Sequence, residues 1–339
     1  MVGRRRVSAP AAAPAADAID PDEVLRFARA LIAAPSENPG GTEDEVADVA
    51  IGILTDLDAD VQVVRSEEGR PSVVARIGSG ERPRLAWNGH LDTVPAGDPS
   101  TWSSGPFEGA VVDGRLVGRG ACDMKGPIAS ALAAVAAVRR AGLSLAGTLD
   151  LHLVADEEHA GIHGTRVLRD HGLLDQDAAV VGEPSDMEIA LAERGGAWVT
   201  AVAHGKAAHG STPWVGDNAV LKAIDVFRQI EVLPFARESS DLFDRPSINL
   251  GRIVGGDALN KVPDLCVIDV DVRYLPGQDA KAIRAAVDAL PGATVVKIFH
   301  RQPAIVERDD PFVQALGEAI SRVAPPVGER LGVGRDGAS

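Results

Sequence analysis

The stretch GPIASALAAVAAVRRAGLSLAGTLDLHLVADEE, residues 126–158, joins an alanine-rich helical pattern to an apolar strand that ends in adjacent glutamates. Its first part repeats apolar residues at helical spacing, and its second part is typical of a buried strand. The chain before it follows the same alternation. Helices are predicted at 21–36, with Asp20 as the N-cap, and at 42–57; strands are predicted at 61–65, 72–77 and 84–92. This order predicts an α/β sheet with helices on its faces.

The pattern changes at about Glu193. The predicted elements then follow the order β-α-β-β-α-β, at 197–207, 217–233, 247–256, 265–275, 279–290 and 293–299. That order is typical of a small ferredoxin-like α+β domain. A last helix is predicted over 310–325, returning to the first domain. We therefore expect a catalytic domain from 20–192, a second domain from 193–300 inserted into it, and a return segment from 301–339.

Length and charge limit the possible functions. A chain of 339 residues is too long for one core of ordinary size, so two domains are expected. The net charge of −15 argues against binding to nucleic acid or an anionic membrane, and favours a cytoplasmic protein. Residues 1–19 lack an apolar signal-peptide region and are predicted to be a disordered tail. Cys122 and Cys266 are far apart, so both are expected to be buried small residues rather than disulfide or metal partners.

Acidic and histidine side chains follow the predicted strands of the first half. His90 and Asp92 are two apart at a strand end and share a face, which would let the carboxylate hold the imidazole while the ring binds a metal. Glu157 and Glu158 are adjacent after a strand, where their repulsion would be relieved by a metal that binds one glutamate while the other acts as a base. Each feature alone also fits an ordinary strand end or a solvated turn.

Two further carboxylates complete this set. Asp123 lies in the glycine-flanked turn GRGACDMKG before the alanine-rich helix, where an N-cap is the alternative interpretation. Glu183 follows the apolar run 178–181, where it could equally be a loop acid. All four segments lie after strands or in a strand-to-helix turn, the edge at which α/β sheets place their sites. Together they indicate a metal centre.

His159 and His163 offer a rival zinc pair because they are four residues apart. Gly161 disfavours a helix between them, and no glutamate occupies the position of the base. We therefore expect a loop with two exposed histidines.

The segments GHLDTVP (89–95), DMKG (123–126), DEE (156–158) and GEP (182–184) together resemble the co-catalytic zinc deacylases and carboxypeptidases. That family includes succinyl-diaminopimelate desuccinylase, acetylornithine deacetylase and the glutamate carboxypeptidases. The resemblance implies a zinc-aminopeptidase-like catalytic domain with an inserted ferredoxin-like lid, two zinc ions per subunit with cobalt as a possible substitute, and a homodimer formed through the lid. It also implies metal-dependent hydrolysis of N-acyl amino acids or peptides, in the context of amino-acid biosynthesis.

The resemblance assigns a role to each matching residue. It implies that His90 and Glu183 bind one zinc, Asp123 bridges both, Glu158 binds the other, Glu157 is the general base and Asp92 orients His90. In the second domain, it implies that His209 steadies the oxyanion and that Asn260 and Arg273 approach the substrate carboxylate. For these last three, a surface or packing role stays open.

The C-terminal region departs from the family pattern. The family takes a further zinc ligand from a late histidine, yet no histidine follows His300, and GRDGAS (334–339) resembles only the start of the preceding family segment. The sequence thus predicts either a truncated deacylase or a short form that binds one metal at most and acts as a non-catalytic binding or dimerising protein. A carboxypeptidase or dipeptidase activity is the alternative within the family.

Overall fold

The computed structural model of the chain describes residues 13–159, 161–186 and 188–322. Contacts between residues divide it into two units, with the boundary between Pro184 and Ser185. Residues 301–322 group with the second unit. The predicted catalytic, lid and return segments, bounded at 192/193 and 300/301, stay predictions about the roles of these parts.

The first unit contains a five-stranded sheet and its helices. Its elements are α1 (Ala13–Asp17), α2 (Pro21–Ile32), α3 (Asp44–Asp56), β1 (Asp60–Arg65), β2 (Pro71–Gly78), β3 (Arg84–His90), β4 (Ala110–Val112), β5 (Arg115–Val117), α4 (Lys125–Arg140), β6 (Thr148–Val154), α5 (Thr165–Asp170) and β7 (Ala178–Val181). The predicted helices and strands of this half are confirmed, and the Asp20 carboxylate accepts a hydrogen bond from the Asp22 amide at 3.0 Å as the N-cap of α2. The β4–β5 hairpin and α5 were not predicted.

The strand order of this sheet is β1-β2-β6-β3-β7. Strand β3 runs parallel to β6 and to β7, whereas β1–β2 and β2–β6 are antiparallel. Parallel strands end at the same edge, so the residues that follow β3, β6 and β7 emerge together. The register aligns the two strand ends, because His90 at the end of β3 pairs with Val154 at the end of β6.

The core of the first unit explains why β6 is so apolar. Leu151 and Leu153 of β6 are 1% exposed and belong to one cluster with Leu54 of α3 and Leu132 of α4, both fully buried. Burial of each such side chain contributes roughly 1.5–3 kcal/mol. The packed helices and sheet therefore form a rigid base for the loops that follow the strands.

Two predictions about this unit were wrong. Residues 13–17 form α1, which contacts α4, so the predicted disordered tail does not extend over them. Their alanine-rich sequence has high helix propensity. The Arg140 side chain also donates hydrogen bonds to the Ala18 carbonyl just beyond the helix. Residues 1–12 of the predicted tail lie outside the described residues. Cys122 is exposed because it lies in the turn before α4, whereas Cys266 is buried as expected.

The second unit is built around a four-stranded antiparallel sheet. Its elements are β8 (Ala192–Glu193), β9 (Gly195–His204), α6 (Ala219–Ile230), β10 (Ser247–Gly255), β11 (Leu265–Tyr274), α7 (Ala280–Asp288), β12 (Thr294–Arg301), β13 (Ala304–Ile305) and α8 (Pro311–Ser321). The sheet order is β10-β11-β9-β12. From β9 to β12, the chain therefore follows the predicted β-α-β-β-α-β order, and β8 pairs separately with β13.

Alternation along β11 places one face of this sheet in a core. Buried and partly exposed residues alternate along the strand, with Ile268, Val270 and Val272 packed in a cluster with Phe227 of α6 and Ile283 of α7. This period of two is the pattern of a sheet covered by helices on one face. Within the described residues, no helix has the length and apolar content needed to cross a membrane.

Candidate metal centre

His90 is the last residue of β3 and is almost wholly buried, with 1% of its surface exposed. Its Nδ1 lies 2.9 Å from the backbone carbonyl oxygen of Asp92, while the Asp92 Oδ1 is 3.4 Å away. The ring is therefore held mainly by the carbonyl of the residue predicted to orient it. A proton on Nδ1, donated to that carbonyl, leaves the Nε2 lone pair available to bind a cation.

Three carboxylates surround the Nε2 atom of His90. Oxygens of Asp123, Glu183 and Glu157 lie 2.9, 3.7 and 4.0 Å from it. Burial alone would lower the pKa of His90, but hydrogen bonds to Asp123 and Asp92 and the neighbouring negative charges raise it well above its usual value. The negative charge that converges on Nε2 therefore favours a cation at this place.

Asp123 reaches this place from the turn before α4. The N-cap position of α4 belongs to Met124, and no side chain caps the helix there. The carboxylate of Asp123 instead contacts the His90 ring through Oδ1. The N-cap interpretation of Asp123 is therefore wrong, because α4 begins two residues later at Lys125.

Glu157 and Glu158 follow β6 in a turn that the buried Asp92 carboxylate holds by its backbone. The Glu157 amide donates to Asp92 Oδ1 and the Glu158 amide donates to Asp92 Oδ2, each at 3.1 Å. Asp92 is fully buried, and although burial alone would raise its pKa, the bonds to His90, Asn38 and Glu157 lower it. An ionised Asp92 thus links the end of β3 to the end of β6.

Crowding of negative charge changes the acidity of this cluster. Burial, followed by the charges of neighbouring carboxylates such as Asp123 and Glu157, raises the pKa of Glu158 to about 7. The same causes raise the pKa of Glu183 to about 7. Each carboxylate in the group makes ionisation of the others costlier, which is the condition that a bound cation relieves.

The donor atoms are close enough to surround a metal ion. One ligand atom from each of His90, Asp123 and Glu158 lies within 4.8 Å of the others, and the same holds for His90, Glu157 and Glu183. Ligands around a tetrahedral ion with bonds near 2 Å are separated by roughly 3.3 Å, similar to the spacings at Nε2. Imidazole and carboxylate donors are suited to a divalent metal, so the residues fit the predicted group.

The structure brings together all six predicted site residues of the first unit. The site residues predicted in the second unit are His209, Asn260 and Arg273, and the first two lie close together. His209 is exposed, with its Nδ1 2.8 Å from Ser211 Oγ, and the next residue donates a backbone hydrogen bond to the Asn260 carbonyl at 2.7 Å. Arg273 of β11 donates from Nε to the Asp271 carboxylate at 3.0 Å.

The rival histidine pair lies in a turn rather than a helix. His159 is exposed, as expected. The expectation that His163 is exposed was wrong, because its Nδ1 lies 2.8 Å from Ser66 Oγ and its Nε2 lies 3.6 Å from Glu67. In the part of the chain that the structure describes, neither histidine belongs to a group that could hold a metal.

Two buried residues near the centre were not predicted. The Asn38 side chain donates to Asp92 and to Asp156, and Asp156 adopts a left-handed backbone with φ of 60°. Asp156 directly precedes the paired glutamates, and a turn-forming Asp at this point could have indicated its role. Asn38 is separated from these partners by 54 and 118 residues, so no local pattern indicated its contact.

The family model described as Peptidase family M20/M25/M40 matches residues 86–338, which is most of the chain. A succinyl-diaminopimelate desuccinylase from Gluconacetobacter diazotrophicus is 36% identical over 269 residues, covering 74% of this chain and 67% of that protein. A probable succinyl-diaminopimelate desuccinylase from Staphylococcus epidermidis is 29% identical over 315 residues, covering 84% of this chain and 76% of that protein.

Solved structures share the fold at lower sequence identity. A tripeptidase from Staphylococcus aureus superposes with a TM-score of 0.70 at 20% identity, covering 95% of this chain and 86% of its own. The aminopeptidase PepT from Bacillus cereus gives a TM-score of 0.71 at 22% identity with the same coverage. An M20 family metallo-carboxypeptidase from Sulfolobus solfataricus gives 0.71 at 19% identity, covering 89% of this chain and 83% of its own.

Proposed function

Because the chain belongs to Peptidase family M20/M25/M40, it is a metal-dependent hydrolase of amide bonds, and we propose that it releases the acyl group from N-acyl amino acids. The relatives named as succinyl-diaminopimelate desuccinylases support an N-succinyl amino acid as the first substrate to test. Amino-acid biosynthesis is the corresponding context.

The observation that carries this proposal is the convergence of carboxylates on one buried imidazole nitrogen. His90 Nε2 faces Asp123, Glu157 and Glu183 within 4.0 Å, and Glu158 belongs to the same cluster. We propose that His90, Asp123, Glu158 and Glu183 hold zinc, with cobalt as a substitute. When bound, zinc supplies Lewis acidity and makes a nearby water molecule more acidic.

We assign the proton transfers to Glu157. Its carboxylate lies at the edge of the cluster, 4.0 Å from His90 Nε2, and its side chain is 41% exposed, so solvent and substrate can reach it. Glu157 takes a proton from the attacking water and then returns it to the leaving amine, which restores the carboxylate for the next cycle. The backbone bond from Glu157 to Asp92 fixes the start of this side chain.

Further roles in this proposal rest on the resemblance of sequence motifs. We propose that His209 steadies the oxyanion of the reaction and that Asn260 and Arg273 bind the substrate carboxylate. We also propose that the β-α-β-β-α-β part of the chain is a lid through which two copies dimerise, and that the protein works in the cytoplasm. His209→Ala, with zinc content unchanged and turnover lowered, would support the first of these roles.

A substrate panel tests the proposed activity. The protein is treated with a chelator, supplied with zinc or cobalt, and assayed with N-succinyl-diaminopimelate, N-acetylornithine and dipeptides. We expect metal-restored release of the acyl group, with the succinyl substrate preferred. Hydrolysis of dipeptides alone would make the protein a peptidase, and no metal-dependent hydrolysis of any amide would contradict the proposal.

A matched pair of variants links that activity to the cluster. Glu183→Gln keeps the size of the side chain but removes a charge beside His90, so we expect loss of bound zinc and of turnover. Glu81→Gln makes the same change at an exposed position away from the cluster and should leave both unchanged. Zinc content is measured by mass spectrometry of the dialysed proteins; equal zinc content in the two variants would argue against the assigned ligand.

A further inference from the structure

The side-chain amide of Asn38 lies between two buried carboxylates next to the metal centre. Its Nδ2 is 3.0 Å from Asp92 Oδ2 and 3.0 Å from Asp156 Oδ1. All three residues are nearly inaccessible, with exposures of 2%, 0% and 2%. An amide nitrogen carries two hydrogens, so Asn38 can give one to each carboxylate.

Those two carboxylates hold the loop that contains the proposed base. Asp92 accepts the backbone amides of Glu157 and Glu158. The second oxygen of Asp156 accepts the amides of Ile162 and His163 at 3.0 and 3.2 Å. The two ends of this loop are thus fixed by carboxylates that share one donor group.

Asn38 is itself held firmly against the end of β3. Its backbone amide donates to the Thr93 carbonyl at 2.8 Å, and the Thr93 amide donates to the Ser36 carbonyl at 2.9 Å. The Ser36 hydroxyl donates to the Leu91 carbonyl at 2.7 Å. Asn38 therefore cannot move independently of the segment that contains His90 and Asp92.

The orientation of the amide is also determined. Arg70 Nη2 lies 3.3 Å from Asn38 Oδ1, and a guanidinium group can only donate. The amide oxygen must face Arg70, so its nitrogen must face the two carboxylates, which can only accept when ionised. An aspartate at this position would lack the two hydrogens and would add a third carboxylate to the pair.

We propose that Asn38 is a positioning residue for hydrolysis: by bridging Asp92 and Asp156, it sets the placement of Glu157 and Glu158 at the metal centre. This inference rests on the proposed function, which assigns the base and a metal ligand to those glutamates. Asn38 acts through Asp92 and the loop and touches neither substrate nor metal. Groups that hydrogen-bond the metal ligands directly typically contribute 10–100-fold to metal affinity or activity, and we expect an effect of this order for Asn38 through Asp92.

Three variants test the proposal in the full chain. Asn38→Asp keeps the size of the side chain but removes the donor, and Asn38→Ala removes both the donor and the volume. Thr148→Ala is the control. Thr148 is a buried residue at the start of β6 in the same unit, and its hydroxyl donates to the Glu81 carbonyl. Zinc affinity by competition with a chromophoric chelator, kcat, KM and Tm are measured for each.

We expect Asn38→Asp and Asn38→Ala to lower zinc affinity and kcat by about 10–100-fold each, with KM changed less than about 3-fold. Asn38→Asp should be at least as damaging as Asn38→Ala, because it removes the bridging donor and also adds a third buried carboxylate beside Asp92 and Asp156. Thr148→Ala should keep zinc affinity and kcat near those of the unmodified chain. If Asn38→Asp does not fold, Asn38→Ala decides.

Two results would overturn the inference. One is a folded Asn38→Ala or Asn38→Asp variant with unchanged zinc affinity and kcat. The other is Asn38→Ala being clearly worse than Asn38→Asp, which would mean that Asn38 only fills space. Failure of the proposed function is distinguishable, because an unmodified chain that binds zinc but hydrolyses no amide still allows the zinc affinities to be compared.

Discussion

Replacing the Asp92 carboxylate by an amide of nearly the same shape is a direct perturbation of the link between β3 and the loop after β6. Asp92 accepts the amides of Glu157 and Glu158 and the side chain of Asn38, and its Oδ1 is 3.4 Å from His90 Nδ1. In Asp92→Asn, the new NH₂ group must face at least one of these donors. The hydrogen bond from His90 to the backbone carbonyl of residue 92 is not removed.

The size of the effect follows from the number of donors that lose their acceptor. If the amide nitrogen takes the place of Oδ1, the Glu157 amide loses its partner; if it takes the place of Oδ2, both the Glu158 amide and the Asn38 side chain lose theirs. Each hydrogen bond to a charged group contributes about 1.5–3 kcal/mol, so the better orientation costs about 1.5–3 kcal/mol. At about 2–4 °C per kcal/mol, Tm should fall by about 3–12 °C.

Thermal unfolding and zinc competition measure this prediction, with Asp150→Asn as the matched control. Asp150 is also fully buried in the first unit, but it accepts from Arg76, Arg84 and Gln176 near the start of β6, away from the cluster. Both variants should lower Tm, and only Asp92→Asn should lower zinc affinity, by about 10–100-fold. Unchanged zinc affinity and Tm in Asp92→Asn would refute the reasoning.

Two further predictions concern acidity and packing. Glu158 and Glu183 have pKa values raised to about 7 from 4.5, so the folded metal-free protein binds protons that the unfolded chain has released. With chelator present, the Tm measured by scanning fluorimetry should therefore fall as the pH rises from 5 to 8, and it should fall less in Glu183→Gln. A Tm that rises over this range would contradict the prediction. Gly195→Ala would place a Cβ 2.2 Å from the buried Tyr274 ring. We therefore expect the second unit to lose about 1–3 kcal/mol of stability while the zinc affinity of the chain is unchanged. A variant as stable as the unmodified chain in denaturant unfolding would contradict this prediction.

The sequence was sufficient to predict the main helices and strands of both units and the strand-end position of the candidate metal centre. Strands β3, β6 and β7 are short apolar runs; His90 is the last residue of β3, and Glu157 and Glu183 come shortly after the ends of β6 and β7. Because parallel strands end at one edge of a sheet, the position of these residues at strand ends was enough to predict that they lie close together. The β-α-β-β-α-β order of the second unit was equally readable from its periodicity.

Contacts that join distant segments could not be predicted in this way. The hydrogen bonds of Asn38 connect a loop after α2 to residues far along the chain, and nothing in the local sequence specifies them. Asp92 was expected to orient His90 by its carboxylate, yet its backbone carbonyl makes the shorter contact while the carboxylate holds the loop backbone. Periodicity indicates which face a side chain occupies, but not which of its atoms forms the bond.

The exposed Cys122 and the partly buried His163 illustrate the same limit. Both lie in turns, where burial depends on neighbours from other segments rather than on a repeating pattern. Ser66 and Glu67, which follow β1, contact His163 and cover part of it. The sequence patterns predicted a buried Cys122 and an exposed His163, whereas Cys122 is exposed and His163 is partly buried.

The most direct test of the central claim is turnover by Glu157→Gln in protein whose zinc content is measured in parallel. General acid–base catalysis typically contributes 10²–10⁴-fold, so we predict that kcat falls by roughly this factor while zinc remains bound, since Glu157 is assigned as the base and not as a ligand. Turnover equal to that of the unmodified chain would contradict the account, and so would loss of zinc in proportion to loss of activity.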